Sequence, residues 1–392
     1  MLLLIIMAFN CRKPFEPAIV ASNVNYLVVE GIIDSGQDST FIKLSKTVKL
    51  SSKVTTSPVL HAVLTVESDN NESRPLTETT NGNYFAPGLN LDNTRKYRLR
   101  IKTADDEYLS DFVEVLNSPP IDSISYAIQS NGVQIYANTH DSKNKTRYYR
   151  WSYGETWIFH SNFESYFKSN GDTVLGRDLI HDNIYRCWQS DTASTIILGS
   201  SAKLAQDIIV NNPVTFLQST SEKVSDEYSI FVRQYALTKD AYIFWQNLKK
   251  NTEQLGSIFD AQPTQINGNI HSITHPLEPV IGYISVGSTT SERIFIKTQG
   301  LPGWYTIPYY NDCQLARNCC FYVFRDEDFG PYHNQVNELI NYNRGADPMH
   351  ALIPVDAITV PGNPVPLGYT ASYRECVDCT LRGTNKQPAF WK

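Results

Sequence analysis

Between residues 26 and 115, hydrophobic positions fall in short runs that alternate with polar ones, and turn-forming residues separate the runs. Tyr26–Ile33 reads as a first strand, ended by Asp34, Ser35 and Gly36, and Thr40–Ser45 alternates as a half-buried strand does. Val59–Val66 is a denser apolar run closed by the polar turn 69–72. Asn81-Gly82 predicts a tight turn into Tyr84 and Phe85. Tyr97–Lys102 and Tyr108–Val113 complete a pattern of about seven strands in about 90 residues, which predicts an immunoglobulin- or transthyretin-like β-sandwich over residues 24–118.

Asn117-Ser118-Pro119-Pro120 interrupts the pattern, because two prolines stop a strand ladder and stiffen a linker. A larger β-rich domain is expected over 121–392. Its strand-like runs are Ile124–Ile128, Val133–Tyr136, Arg147–Tyr153, Tyr228–Tyr235, Gly282–Val286 and Arg293–Lys297. Thr156–Gly199 reads as aromatic and irregular. One prominent helix is predicted where Ala241, Phe244, Trp245 and Leu248 recur at helical spacing. Thr238 or Asp240 would cap it, Lys249 and Lys250 suit its C-terminal dipole, and Gly256 would stop it. From about Gly300 the chain is rich in Pro, Gly and Cys, with little periodicity.

Composition supports this mainly β reading. The 392 residues are 41% hydrophobic and 12% aromatic but only 19% charged, enough apolar material for a sizeable core. A net charge of −6, with no basic run longer than two residues, argues against a nucleic-acid partner.

The N-terminus suggests export. Leu2–Phe9 is apolar but far shorter than the roughly 20 residues that span a bilayer. It matches the core of a signal peptide and runs directly into Cys11. Residues 1–10 are therefore expected to be a signal peptide, Cys11 the lipidated residue, and 11–23 a tether carrying Arg12, Lys13 and Pro14. Two or more acyl chains make such an anchor stable. The signal lacks a basic residue before its apolar core, and Ala8-Phe9-Asn10 departs from the usual small residues.

Six further cysteines, Cys187, Cys313, Cys319, Cys320, Cys376 and Cys379, form an even set that reads as up to three disulfides in an exported chain. Their pairing is open. Cys376-Val-Asp-Cys379 is also compatible with half of a zinc site or a redox motif, although adjacent Cys319 and Cys320 make a poor zinc pair.

Several segments resemble a family of bacteroidal lipoproteins catalogued as domain of unknown function 4249. They are Tyr26–Gly31, Pro119–Asp122, Phe244–Leu248, Phe259–Pro263, Gly268–His271, Gly282–Ile284, Cys376–Cys379 and Pro388–Trp391. The resemblance implies an N-terminal immunoglobulin-like domain followed by a larger β domain. It also implies outer-membrane association, with genes often beside those of TonB-dependent transporters. Arg12 and Lys13, where acidic residues would favour surface export, leave the periplasmic and cell-surface faces both open.

Candidate chemistry is sparse. His271 and His275 stand four apart, but in strand-and-turn sequence that spacing is about 13 Å, too far to chelate one ion. Asp326-Glu327-Asp328 reads as a solvated turn, with calcium the alternative. No nucleophile elbow, phosphate loop or dinucleotide fingerprint occurs, so no enzyme, cofactor, metal or catalytic residue is expected. Trp151, Tyr153, Trp157, Trp304 and Tyr305 are candidates for ligand or partner contact, the competing reading being that they fill a core. The expected function is an outer-membrane-anchored lipoprotein that serves an envelope complex, a TonB-dependent transporter first, in uptake or envelope assembly. A surface carbohydrate- or peptide-binding protein is the alternative, and a hydrolase the third reading.

Overall fold

A computed structural model describes residues 25–48, 57–253, 268–315, 339, 343–347, 351–359, 362, 366 and 368–391. Outside the described residues lie the expected signal peptide, Cys11 and its tether, Gly256, Phe259–Pro263, Cys319, Cys320 and the acidic turn 326–328. The chain is mainly β and divides into two compact units, Met1–Val115 with Ile266–Val286, and Leu116–Gln265 with Gly287–Lys392.

In the first unit the strands are β1 (Leu27–Asp34), β2 (Thr40–Lys46), β3 (Ser57–Pro58), β4 (Val63–Ser68), β5 (Ser73–Glu78), β6 (Asn83–Ala86), β7 (Lys96–Lys102), β8 (Glu107–Ser110) and β9 (Val113–Glu114). The returning segment adds β19 (Ile270–Ser272), β20 (Ile281–Gly282) and β21 (Val286–Gly287). They join into one twelve-stranded sheet whose inner face closes on a single core that includes Leu27, Leu44, Leu64, Tyr84, Leu99 and Ile101. Alternation produces this: β7 buries Tyr97, Leu99 and Ile101 while Lys96, Arg98 and Arg100 face away. Asn81 and Gly82 both take positive φ, as the predicted turn requires. The apolar run 59–66 is not one strand. His61, at φ 59°, breaks it between exposed Leu60 and β4.

The linear division at 118–121 needs a correction, because 266–286 belongs with the first unit. β19 pairs with β8, setting Ile270 opposite Ser110, and β20 runs parallel to β1, setting Gly282 opposite Val29. A Cβ on Gly282 would sit 2.4 Å from the Val29 carbonyl oxygen, so only glycine permits this approach. Ile270, Val280, Ile284 and Val286 complete the first core.

The second unit is built from β10 (Ile121–Gln129), β11 (Gly132–His140), β12 (Tyr148–His160), β13 (Phe167–Ser169), β14 (Val174–Gly176), β15 (Arg186–Thr192), β16 (Ile197–Ser200), β17 (Ile208–Gln218), β18 (Glu227–Leu237), β22 (Thr290–Lys297), β23 (Leu352–Ile358) and β24 (Gly368–Tyr373). One sheet has the order β10-β11-β17, a second runs β15-β12-β18-β22 with β16 also on β12, and β13-β14 and β23-β24 form two-stranded sheets. Val133, Ile135 and Leu217 of the first share a core with Tyr149, Trp151, Trp157, Phe159, Ile230 and Val232 of the second. Thr156–Gly199, expected to be irregular, instead continues β12 and supplies its partners β15 and β16. The partners of those strands lie 26 to 52 residues away in sequence, beyond what a local pattern reveals.

The carboxylates inside this core are paired, whereas the indole N–H of Trp157 has no hydrogen-bond partner among the described residues. Glu155 is 5% exposed, forms an ion pair with Lys223 and accepts a 2.7 Å bond from the Tyr228 hydroxyl, which burial pushes up in pKa. Asp207, 1% exposed, accepts from both Tyr149 and Ser201. The helix α1 (Lys239–Glu253) forms as predicted: Thr238 Oγ1 accepts from the Ala241 N–H at 3.2 Å, and Ala241 and Phe244 are buried. Among the described residues, no helix is long and apolar enough to cross a membrane.

Two disulfides hold the C-terminal part: Cys187 to Cys379, 192 residues apart, and Cys313 to Cys376, 63 apart. The two cysteines of the Cys376-Val-Asp-Cys379 motif therefore serve different bridges, which removes the zinc and redox readings of that pair.

His160 closes β12, its ring 4.7 Å from that of Tyr185. Burial holds its pKa below the ordinary value, against the opposing pull of Asp226. A depressed histidine binds fewer protons folded than unfolded, so its stabilisation is complete above about pH 6.5 and is lost as pH falls below it. Urea unfolding at pH 7.5 and 5.5 is expected to show a stability loss that shrinks in His160→Asn. An equal loss in both proteins would remove His160 as its source.

Candidate functional site

Side chains on a strand alternate between faces, and β12 sends Tyr149, Trp151 and Trp157 into the core. Arg150, Ser152 and Gly154 consequently face the other way. The register sets Arg150 opposite Tyr235, Ser152 opposite Arg233 and Gly154 opposite Phe231 on β18. Phe231 and Arg233 lie in turn opposite Arg293 and Ser291 on β22. Three arginines from three strands thus share the outer face of one sheet. Two strand spacings of about 4.8 Å and four residues of about 3.3 Å separate Arg150 from Arg293 by about 16 Å.

Each guanidinium lies on aromatic rings. Arg150 sits between Tyr235, at 4.3 Å, and Trp245 of α1, at 4.1 Å. Arg293 lies 4.9 Å from the Phe231 ring and 3.7 Å from that of Phe390, while Arg233 lies 5.8 Å from Phe231. Stacking of this kind is favourable and flattens the cation against the sheet. None of the three arginines forms an ion pair among the described residues, and Nε of Arg150 has no hydrogen-bond partner there. Arg293 donates to Ser229 Oγ at 3.0 Å. Burial lowers the pKa of Arg150 and Arg293. Guanidinium begins so far above neutrality that both stay charged. The result is a fixed cationic strip on a protein of net charge −6.

The aromatic residues expected to face outward mostly do not. Trp151 and Trp157 are 1% and 6% exposed and belong to the core, because both occupy inward positions of β12. Tyr153 is half-buried and donates to Thr215 Oγ1 at 2.9 Å, and Trp304 packs against the same core. Tyr305 alone of the five is open, at 78% exposure. His271 and His275 face different carboxylates, Asp111 at 3.2 Å and Asp106 at 2.7 Å, and do not converge.

Sequence reasoning missed Arg150, Arg233 and Arg293. A signal existed in each, an arginine flanked by apolar or aromatic residues in a strand (Tyr149-Arg150-Trp151, Phe231-Val232-Arg233, Arg293-Ile294-Phe295). Only the cross-strand register shows that the three share a face.

No curated protein matches this chain. Among the solved structures that align with it are two very remote ones. One is titled as the complete structure of manganese lipoxygenase of Gaeumannomyces graminis with a partial structure of zonadhesin of Komagataella pastoris. It is 10% identical, covering 56% of this chain and 91% of that one, at a TM-score of 0.17. The other, the Yersinia pseudotuberculosis adhesin InvE, is 9% identical over 55% of this chain and 58% of that one, at a TM-score of 0.16. Neither likeness carries an argument about fold or function. The family described as "Domain of unknown function (DUF4249)" matches residues 12–293, most of the chain, and the protein belongs to that family.

Proposed function

We propose that this chain is an exported, envelope-anchored binding protein whose second unit docks an acidic segment of a partner protein on the arginine-lined sheet face. One observation carries the reading: Arg150, Arg233 and Arg293 are held on rings with no carboxylate of their own among the described residues. Stacked arginines have already lost much of their side-chain freedom, so pairing them with a partner's carboxylates costs little further entropy. The N–H edges of Arg233 and Arg293 suit bidentate carboxylates, while Arg150, enclosed between Tyr235 and Trp245, adds its charge from beneath. Guanidinium groups already lie over Tyr235, Trp245, Phe231 and Phe390, which favours an anionic ligand over neutral sugars stacking on those rings.

The family resemblance makes a TonB-dependent transporter the first partner to test, and lipidation at Cys11 would hold the protein beside it in the outer membrane. The full chain is expected to co-purify with such a transporter from detergent-solubilised membranes. Recovery should fall at least tenfold in R233E/R293E, fall with added salt, and hold in a K203E control. Equal recovery with R233E/R293E would overturn the assignment of this face. Binding of oligogalacturonate without any protein partner would transfer the site to an acidic glycan.

A further inference from the structure

We infer that Asp106, His275 and Glu278 form a zinc site that fastens the returning segment to the first unit. Nδ1 of His275 lies 2.7 Å from Asp106 Oδ1, and one ligand atom from each of the three residues lies within 4.8 Å of the others. Donors about 2.0–2.2 Å from a tetrahedral ion stand somewhat over 3 Å apart, so small side-chain movements would admit zinc. The donor set is one imidazole and two carboxylates, which zinc accepts and which its two charges would balance.

The backbone prepares this geometry. His275-Pro276-Leu277-Glu278 is a turn in which the Glu278 N–H donates to the His275 carbonyl at 2.8 Å. Proline at the second position presets that bend. His275 N–H donates to Ser272 Oγ at 2.8 Å, which ties the turn to β19. Asp106 lies in the connection between β7 and β8, and Glu107 N–H donates to Thr274 Oγ1 at 2.9 Å across the same junction. The Tyr108 ring is buried and its hydroxyl donates to Glu278 at 3.3 Å, the kind of outer contact that orients a ligating carboxylate. Two ligands thus come from the returning segment and one from the first pass of the chain, about 170 residues earlier. With three protein ligands among the described residues, a fourth position would be left to water.

Calorimetric titration of zinc chloride into the chelator-washed full chain, with any free thiols alkylated, tests this. One site is expected, and zinc should raise the melting temperature. H275A and E278Q should each weaken zinc more than tenfold, Y108F about tenfold, and H271A not at all. Calcium and magnesium should give no comparable heat. Absence of zinc binding in the wild type, or equal binding in H275A, would overturn the proposal. If H275A lowers the melting temperature equally with and without zinc, the cluster is a salt bridge only.

Discussion

Trp151→Ala is expected to remove most of the stability of the second unit. The side chain is 1% exposed, its ring stacks on Tyr149 at 5.7 Å, and its Nε1 donates to Gln234 Oε1 at 2.9 Å. Gln234 is itself fully buried, and its amide nitrogen reaches Pro119 O and Thr139 Oγ1 at 2.9 and 3.1 Å. Trp151 therefore supports a polar junction between β18, β11 and the chain entering the unit, besides filling volume. Truncating a buried tryptophan costs about 3–5 kcal/mol, and stranding the Gln234 carbonyl adds on the order of 1 kcal/mol. Against a typical total of about 5–15 kcal/mol, this brings the unit close to unfolding at 37 °C. Trp151→Phe keeps most of the ring and loses the bond, so its effect should be intermediate. Urea unfolding followed by circular dichroism reads both. A loss under about 1 kcal/mol would return Trp151 to the ligand-contact role that its sequence neighbourhood suggested.

The Cys187–Cys379 bridge is expected to be worth nearly as much. Both cysteines are buried in the core, at 0% and 2% exposure, and they close a loop 192 residues apart in sequence. Restricting the unfolded chain over so long a loop favours the folded state by about 5 kcal/mol on the chain-entropy account. C187A/C379A should therefore lower the melting temperature more than C313A/C376A, whose loop spans 63 residues. Scanning calorimetry of the two double variants tests the order. If C313A/C376A proved the more damaging, loop length would not be the controlling quantity, and strain or packing around Cys376 would have to be. Zinc chelation should leave the melting of the second unit unchanged, because both thiols of the 376–379 motif are used in bridges.

Much of the architecture was legible in the chain because its signals are local. Period-two alternation located β1, β2, β7, β11, β18 and β22 to within a few residues. The helix α1 followed from Ala241, Phe244 and Trp245 with a Thr238 cap. An even cysteine set predicts structural bridges, and the four described cysteines form two. The candidate site was far less legible. Trp151 and Trp157 drew attention because large rings are conspicuous in a sequence, yet parity along β12 sends them inward. Arg150, beside Trp151, is the member of that pair facing away from the core.

By itself the sequence determined the element types, the break near Pro119-Pro120 and the helix cap, since each depends on residues within a turn or two of one another, and the family, through motifs spread along the chain. Tertiary structure alone decided that 266–286 returns to the first unit, that Cys376 and Cys379 part company, and that three arginines gather on one face. It also brought Asp106 to His275 and Glu278. These all rest on strand register and edge pairing between distant segments. A register shift of one residue would have turned the same side chains to the opposite face.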